Sequence, residues 1–406
     1  MTPVHRLAVL ALPMTAAVLL AAPRPAPAQA APADLGALAT RTLEVRELAA
    51  PLPEEPASPL WDGLPVLEIP VAAQVTIRLN DAKANEAAAR AAAGPVRVRA
   101  ATDGKSLAVL LEWPDATESR PPAGSVDAYG DAVALQIPRR SGPGVRLPYV
   151  GMGDEAEPVE LHLLRATAAG STPRQAVATG FGSSARAELG GLRGGMRYDA
   201  ARRAWRAALV LALGAGGLDP AKGLVPFAVA VWDGDAKERG GNKALGGWRF
   251  LRLPRQPVDR AWIADLSWGL APGSLGDPAK GRETFEGTCT PCHSAGASRA
   301  APGLAPDLSA IGVIATPAYL RDSIVQPSQV IVPNPNPAQH QDRTKAPAPD
   351  GAWPVDEGYV WYVVGSDGKR SSSMPDYATM PADEVSALVA YLMTLGAVPP
   401  GAGSKP

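Results

Sequence analysis

The sequence predicts a mainly β protein with an α-helical end: an antiparallel β-sandwich followed by a small all-α domain. Three observations predict it. Short runs of alternating apolar and polar residues, spaced by Gly, Pro and Asp clusters, fill residues 58–255. Helical spacing of apolar residues replaces them at both ends of 274–398. The length, 406 residues, exceeds one typical core and suits two or three domains.

Charged residues make up 19% of the chain and the apolar set 46%, as in folded globular proteins. A formal net charge of −1 argues against nucleic acid or an anionic membrane surface as partner. Alanine is abundant, and 41 Gly and 43 Pro are high counts, which weakens arguments from residue propensity.

Residues 1–30 read as a secretory signal: His5 and Arg6, an apolar run Leu7 to Ala22, and the cleavage pattern Ala28-Gln29-Ala30. The alternative is an uncleaved anchor, for which the run is short against a span of ~20 residues. The expected mature chain is exported, with no membrane span. Residues 31–57, rich in Ala and Pro, read as an extended lead-in. Strands are expected at 74–79, 96–99, 107–113, 132–137, 159–164, 205–213, 227–232 and 248–253. Short strands without long helices between them argue for a sandwich. Residues 256–273 read as a linker, 274–398 as the helical domain and 399–406 as a tail. Six prolines between Pro333 and Pro354 mark a loop-like insertion.

The chain has two cysteines, Cys289 and Cys292, so both need a local explanation. Cys289-Thr290-Pro291-Cys292-His293 is a C-x-x-C-H run, the attachment motif of haem c. Two thiols add to the two vinyl groups, and the next imidazole, His293, lies under the iron. A redox dithiol would need a βαβ context, and a zinc site would need further ligands at suitable spacing. Asp277-Pro278 caps a short helix running to about Gly287, with Phe285 near the haem edge. Val385, Leu388, Val389, Leu392 and Leu395 form a last helix that Gly396 stops. This plan resembles a class I cytochrome c. In that family a methionine before the last helix is the second axial ligand. Met374 matches it in Met374-Pro-Asp-Tyr-Ala-Thr-Met380-Pro, with Met380 and His340 as alternatives and Met393 as core. A thioether ligand raises the potential relative to a second imidazole.

Residues 58–255 show no catalytic constellation from composition or spacing. Their one histidine, His162, lies in an alternating run, where a histidine is more often structural. From composition alone, Met152 in a Gly-Met-Gly turn reads as a buried loop residue and Lys243 in the Gly-rich loop 240–247 as a solvated charge. The segments Trp61-Asp-Gly63, Asp131 to Pro138, Met152-Gly153 with Pro158-Val159, and Val229 to Gly234 with Gly240 to Lys243 carry a further resemblance. In order and spacing they resemble the haem b-binding (gamma) subunit of ethylbenzene dehydrogenase and related type II enzymes of the dimethyl sulfoxide reductase family. That resemblance implies haem b iron held by Met152 and Lys243. The family segment after Pro158-Val159 usually carries tryptophans, and His162 stands there instead, where it could meet a propionate or replace a ligand.

The resemblance further implies a periplasmic dihaem electron-transfer subunit. Its expected partners are a molybdopterin catalytic subunit, an iron–sulfur subunit and a soluble or membrane carrier, and it is not itself expected to be an enzyme. The alternative is a monohaem cytochrome c tethered to a carbohydrate- or ligand-binding sandwich, with Trp61, Trp113 and Trp232 as its aromatic platform.

Overall fold

The computed structural model describes residues 34–49, 51–76, 94–122, 124–181, 183–214, 216–298, 300, 305–331, 346–351 and 361–396. The signal segment 1–30, the tail 399–406, His340 and residues 77–79 of the first expected strand lie outside the described residues.

The strands run β1 (Thr42–Glu44), β2 (Arg46–Glu47), β3 (Leu67–Ile69), β4 (Val71–Ala73), β5 (Val96–Thr102), β6 (Ser106–Pro114), β7 (Ala132–Pro138) and β8 (Val159–Thr167). They continue with β9 (Gly170–Ala178), β10 (Ala185–Arg186), β11 (Arg193–Asp199), β12 (Ala204–Ala212), β13 (Leu224–Trp232), β14 (Ala244–Gly246) and β15 (Arg249–Arg252). They form a nine-stranded sheet ordered β1-β15-β13-β7-β8-β9-β10, with β14 on β13 and β4 on β14. A six-stranded sheet is ordered β11-β12-β6-β5-β2, with β3 on β5.

The lead-in is part of these sheets. β1 pairs with β15 and β2 with β5, both parallel, whereas the other ladders among the described residues are antiparallel. Leu43 of β1 and Leu38 in the turn before it are buried, so residues 34–49 are anchored on the sheet region rather than merely extended. Among the long strands, β9 and β11 are absent from the sequence expectation, as are the short β1–β4, β10 and β14. Pro173 interrupts β9, and Gly194-Gly195 leaves β11 with little alternation, yet each is held by a full ladder to a neighbour.

Alternation decides which face of each strand packs where. In β7 and β13 one face carries Val133, Leu135, Ile137, Phe227, Val229 and Val231. These share a cluster with Val98, Leu111 and Trp205 from the six-stranded sheet, so one core takes side chains from both sheets. Each such side chain contributes about 1.5–3 kcal/mol of burial. The other face of β7 and β13 carries Ala132, Ala134, Ala228 and Ala230. It is buried too, although its side chains are small.

Asp131, fully buried, ties the sheets together. Its carboxylate accepts from Ser119 N–H (2.7 Å), Gly234 N–H (2.7 Å) and Trp205 Nε1–H (2.8 Å). Trp205 belongs to β12, while Asp131 and Gly234 flank β7 and β13.

Residues 256–273 are more than a linker. They hold helix α1 (Arg260–Ser267), which Asp259 caps by accepting from Ala261 N–H and Trp262 N–H. Its Trp262 and Ile263 are buried with Leu224 and Phe250. The cap is a clear local signal, and the helix forms because its apolar face has a partner.

The C-terminal region contains α2 (Pro278–Thr288), α3 (Ile311–Ile314), α4 (Pro317–Val325) and α5 (Ala382–Thr394). It is not all-α: β16 (Tyr362–Val364) pairs antiparallel with β17 (Arg370–Ser372) through an Asp367-Gly368 turn. The β-branched pair Val363-Val364 favours that hairpin over a helix. α2 and α5 cross closely. A Cβ on Gly281 would lie 1.9 Å from Ala387 O, so only glycine allows the approach. Phe285 and Tyr391 pack beside the crossing with ring centroids 5.4 Å apart.

Candidate functional site

Asp277 starts α2 by accepting from Ala279 N–H (2.8 Å), as its sequence predicts. The helix ends at Cys289, whose N–H donates to Phe285 O (2.8 Å). The chain then turns tightly: Cys292 N–H (3.1 Å) and His293 N–H (2.9 Å) both donate to Cys289 O. That turn brings Cys289, Cys292 and His293 to one cavity of about 330 Å³. His293 Nδ1 lies 2.8 Å from Pro306 O. Donation to that carbonyl orients the ring and leaves Nε2 as a free lone pair. Burial lowers the His293 pKa, which favours neutral imidazole. Burial, with Cys292 nearby, pushes the Cys289 thiol up to about 11. A thiol that stays protonated is a poor exchange nucleophile, which disfavours a redox dithiol.

Met374 and Met380 line the same cavity. Met380 packs against the apolar cluster of the domain, as does Met393, which does not line the cavity. Met374 is half-buried outside that cluster, its N–H donating to Ser372 Oγ (3.1 Å). Its thioether is therefore the one less committed to packing.

A second cavity, of about 300 Å³, lies on the outer face of the nine-stranded sheet. Register builds its floor. Ala230, Ala134, Leu163 and Arg174 form one row across β13, β7, β8 and β9, and Ala228, Gln136, Leu161 and Ala176 form the next. The alanines leave a flat recess where larger residues would fill it. Its signal in the sequence is the alternation of small with large residues in Ala132-Val-Ala-Leu and Phe227-Ala-Val-Ala-Val-Trp232, which the strand expectations alone do not exploit.

Met152 and Lys243 both line this cavity. Met152 adopts φ +74°, unusual for a residue with a side chain. Its turn is held by Met152 N–H to Val150 O (2.9 Å), Gly153 N–H to Tyr149 O (2.8 Å) and Gly180 N–H to Met152 O (2.8 Å). The flanking glycines are small because of protein neighbours rather than a ligand. A Cβ on Gly151 would lie 2.4 Å from Tyr149 Cε1, and one on Gly153 2.9 Å from Glu157 O. Lys243 is buried, and its pKa falls to about 8 through desolvation. Its Nζ lies 5.3 Å from the Trp232 ring centroid and 5.7 Å from that of Phe181, with no carboxylate partner among the described residues. A neutral amine with a free lone pair is therefore accessible near neutral pH. A thioether and an amine lining one largely apolar slot are donors that would suit the iron of a planar macrocycle.

His162 does not belong to this cavity. Leu161, Leu163 and Arg165 of β8 face the slot, and His162 alternates to the opposite face with Leu164 and Ala166. It is 1% exposed, Gln175 Nε2 lies 3.0 Å from its Nδ1, and burial lowers its pKa to about 4. The period of two removes it from any role toward a ligand in the slot. The expected aromatic platform is likewise absent. Trp61 and Trp113 are buried in apolar clusters, and Trp232 is buried at the cavity wall, so these three offer no exposed surface.

The two cavities are neighbours. Tyr149 lines the first, and Val150 and Met152 line the second. The Tyr149 ring stacks on Tyr319 of the first cavity (5.7 Å) and meets the edge of Phe181 of the second (6.1 Å).

Comparison with known proteins finds two family matches. Residues 58–204 match the ethylbenzene dehydrogenase family, and residues 278–396 match the cytochrome c family. A Haloferax mediterranei protein named as a heme subunit of a respiratory nitrate reductase is 29% identical over 246 residues, 59% of this chain and 81% of that protein. Among solved structures, a family 9 carbohydrate-binding module from Caldicellulosiruptor kristjanssonii in complex with glucose has 10% identity and a TM-score of 0.32, covering 54% of this chain and 98% of its own. Its complex with cellotriose has 11% identity and a TM-score of 0.31, covering 54% and 95%. Similarity at that TM-score has no bearing on fold or function.

Proposed function

We propose that this chain, which joins an ethylbenzene dehydrogenase-family domain to a cytochrome c domain, is a dihaem electron-transfer subunit. It holds one haem c through Cys289 and Cys292, with His293 and Met374 on the iron. It holds one non-covalent haem b between Met152 and Lys243. The observation that carries this is the pair of adjacent cavities, each lined by residues able to supply two axial donors. The two sheets act as the layers of a sandwich spanning about 58–255, and residues 274–398 act as the cytochrome domain.

The haems supply one-electron chemistry, and the protein supplies ligation, spacing and dielectric. Pro306 O holds His293 in the tautomer that presents Nε2. The apolar lining around Lys243 lowers the cost of presenting a neutral amine. Tyr149, buried and packed between Tyr319 and Phe181, stands beside both sites.

By similarity, the chain exchanges electrons with a molybdopterin enzyme through an iron–sulfur subunit, and with an external carrier through its cytochrome domain. The heme-subunit name of the Haloferax relative supports that setting. The signal-like start supports a periplasmic location, and no helix among the described residues is long and apolar enough to cross a membrane. The chain by itself turns over no substrate, and turnover by the pure single chain would refute this. The buried state of Trp61, Trp113 and Trp232 gives the carbohydrate-binding alternative no support.

A pyridine haemochrome spectrum of the pure chain tests the proposal. Equal amounts of b- and c-type haem are expected, and c-type haem alone would overturn it.

A further inference from the structure

The cavity between Met152 and Lys243 has an unbalanced charge. Its described lining includes Arg165, Arg174 and Lys243, and no aspartate or glutamate. In a chain with net charge −1 this is a local excess of cations. Arg165 on β8 pairs with Thr172, and Arg174 on β9 pairs with Leu163, so the two arginines are diagonal neighbours on one face. Diagonal partners have Cβ atoms within about 7–8 Å, where like charges repel. Neither guanidinium has a hydrogen-bond or ion-pair partner among the described residues. Burial and the Arg174 charge both lower the Arg165 pKa, as expected of two cations that lack an anion.

Their position in the slot matters as well. The row Ala230, Ala134, Leu163 and Arg174 crosses three strand spacings, about 14 Å. Trp232 and Lys243 stand toward the β13 side, and the arginines stand at β8 and β9. The floor is thus mostly apolar, its Gln136 amide already donating to Val150 O, and both arginines stand at the end away from Lys243. A sugar would want hydrogen-bonding side chains of both signs along the floor. A flat apolar body with carboxylates at one edge fits the observed distribution.

We propose that Arg165 and Arg174 form a clamp for the two propionate carboxylates of haem b. The inference rests on the reading of this cavity as a haem b site. It assigns the orientation of the ring in the slot, with its carboxylate edge toward β9. Guanidinium groups suit the task because each presents a planar fork of donors to a carboxylate.

The experiment uses the full chain after removal of its non-covalent haem, with covalent haem c as an internal standard of folding. It compares the affinity for ferric protohaem with that for its dimethyl ester, which has the same ring but no carboxylates. The native chain is expected to prefer protohaem by roughly tenfold or more, since each charge-assisted bond is worth about that factor. The double variant R165Q/R174Q is expected to lose most of this preference while binding the ester as the native chain does. Equal binding of the two haems by the native chain, or an undiminished preference in the double variant, would overturn the clamp alone. Failure of the native chain to bind either haem would overturn the haem b reading and the clamp with it. The native comparison needs no variant, so it stands even if R165Q/R174Q does not fold.

Discussion

The Tyr149 ring stacks on the Tyr319 ring, with centroids 5.7 Å apart and planes inclined by 27°. One residue precedes the turn that presents Met152, and the other lies on α4 in the wall of the cysteine-bearing cavity. The sheet region and the helical region therefore share a buried contact beside both sites. Gly151 makes it possible. Gly151→Ala would place a methyl carbon 2.4 Å from Tyr149 Cε1 and 2.8 Å from Phe181 Cε2. The expected loss is about 1–3 kcal/mol of stability, with weakened retention of b-type haem. Gly63→Ala meets open space and serves as the control. Urea unfolding and haem content measure both.

Met152→Ala or Lys243→Ala should release or loosen the non-covalent haem and leave the covalent one in place. Haemochrome spectra report the ratio of the two. An unchanged ratio in both variants would refute the axial assignment, because each removes a donor facing the slot.

The two methionines of the cytochrome cavity should separate. Met374→Ala should give a high-spin haem c or a substitute ligand, with a large fall in potential. Met380→Ala should keep the native spectrum and cost about 1–2 kcal/mol of packing, since Met380 packs in the apolar cluster. Optical spectra and redox titration decide, and the reverse pattern would move the ligand to Met380.

His162 makes stability depend on pH. Its pKa is about 4 in the folded chain, against an ordinary value of 6.5. Below 6.5 the unfolded chain takes up a proton that the folded chain refuses. This contribution is present above pH 6.5 and is lost as pH falls toward 4, on the order of 3 kcal/mol. His162→Leu should remove that part of the pH dependence. Gln175 Nε2 would still donate to Leu189 O (3.1 Å). Denaturant midpoints of both proteins at neutral and acid pH give the comparison, and parallel pH curves would contradict it.

The features legible in the sequence are those whose physics is local. The cysteine pair and His293 lie within one turn of chain, Asp277 caps the helix beside it, and the apolar spacing of 385–395 needs no distant partner. Most strands with clear alternation were legible for the same reason, but Gln74 to Thr76 of the first expected strand lie just beyond β4 and outside any strand. β9 and β11 were not legible, because Pro173 and Gly194-Gly195 blur the pattern and neighbouring strands supply the hydrogen bonds.

From its residues alone the sequence determined a C-x-x-C-H motif, two compositional regions and most of the long strands. Tertiary structure decided which residues meet. Strand pairing and register set which face of β8 looks outward, and so turned His162 into the core and Arg165 toward the slot. Sheet packing buried the tryptophans. A loop after β7 and another after β13 brought Met152 and Lys243 to one cavity, although far apart in the chain. A one-residue change of register would reverse each face, and no local preference encodes that choice.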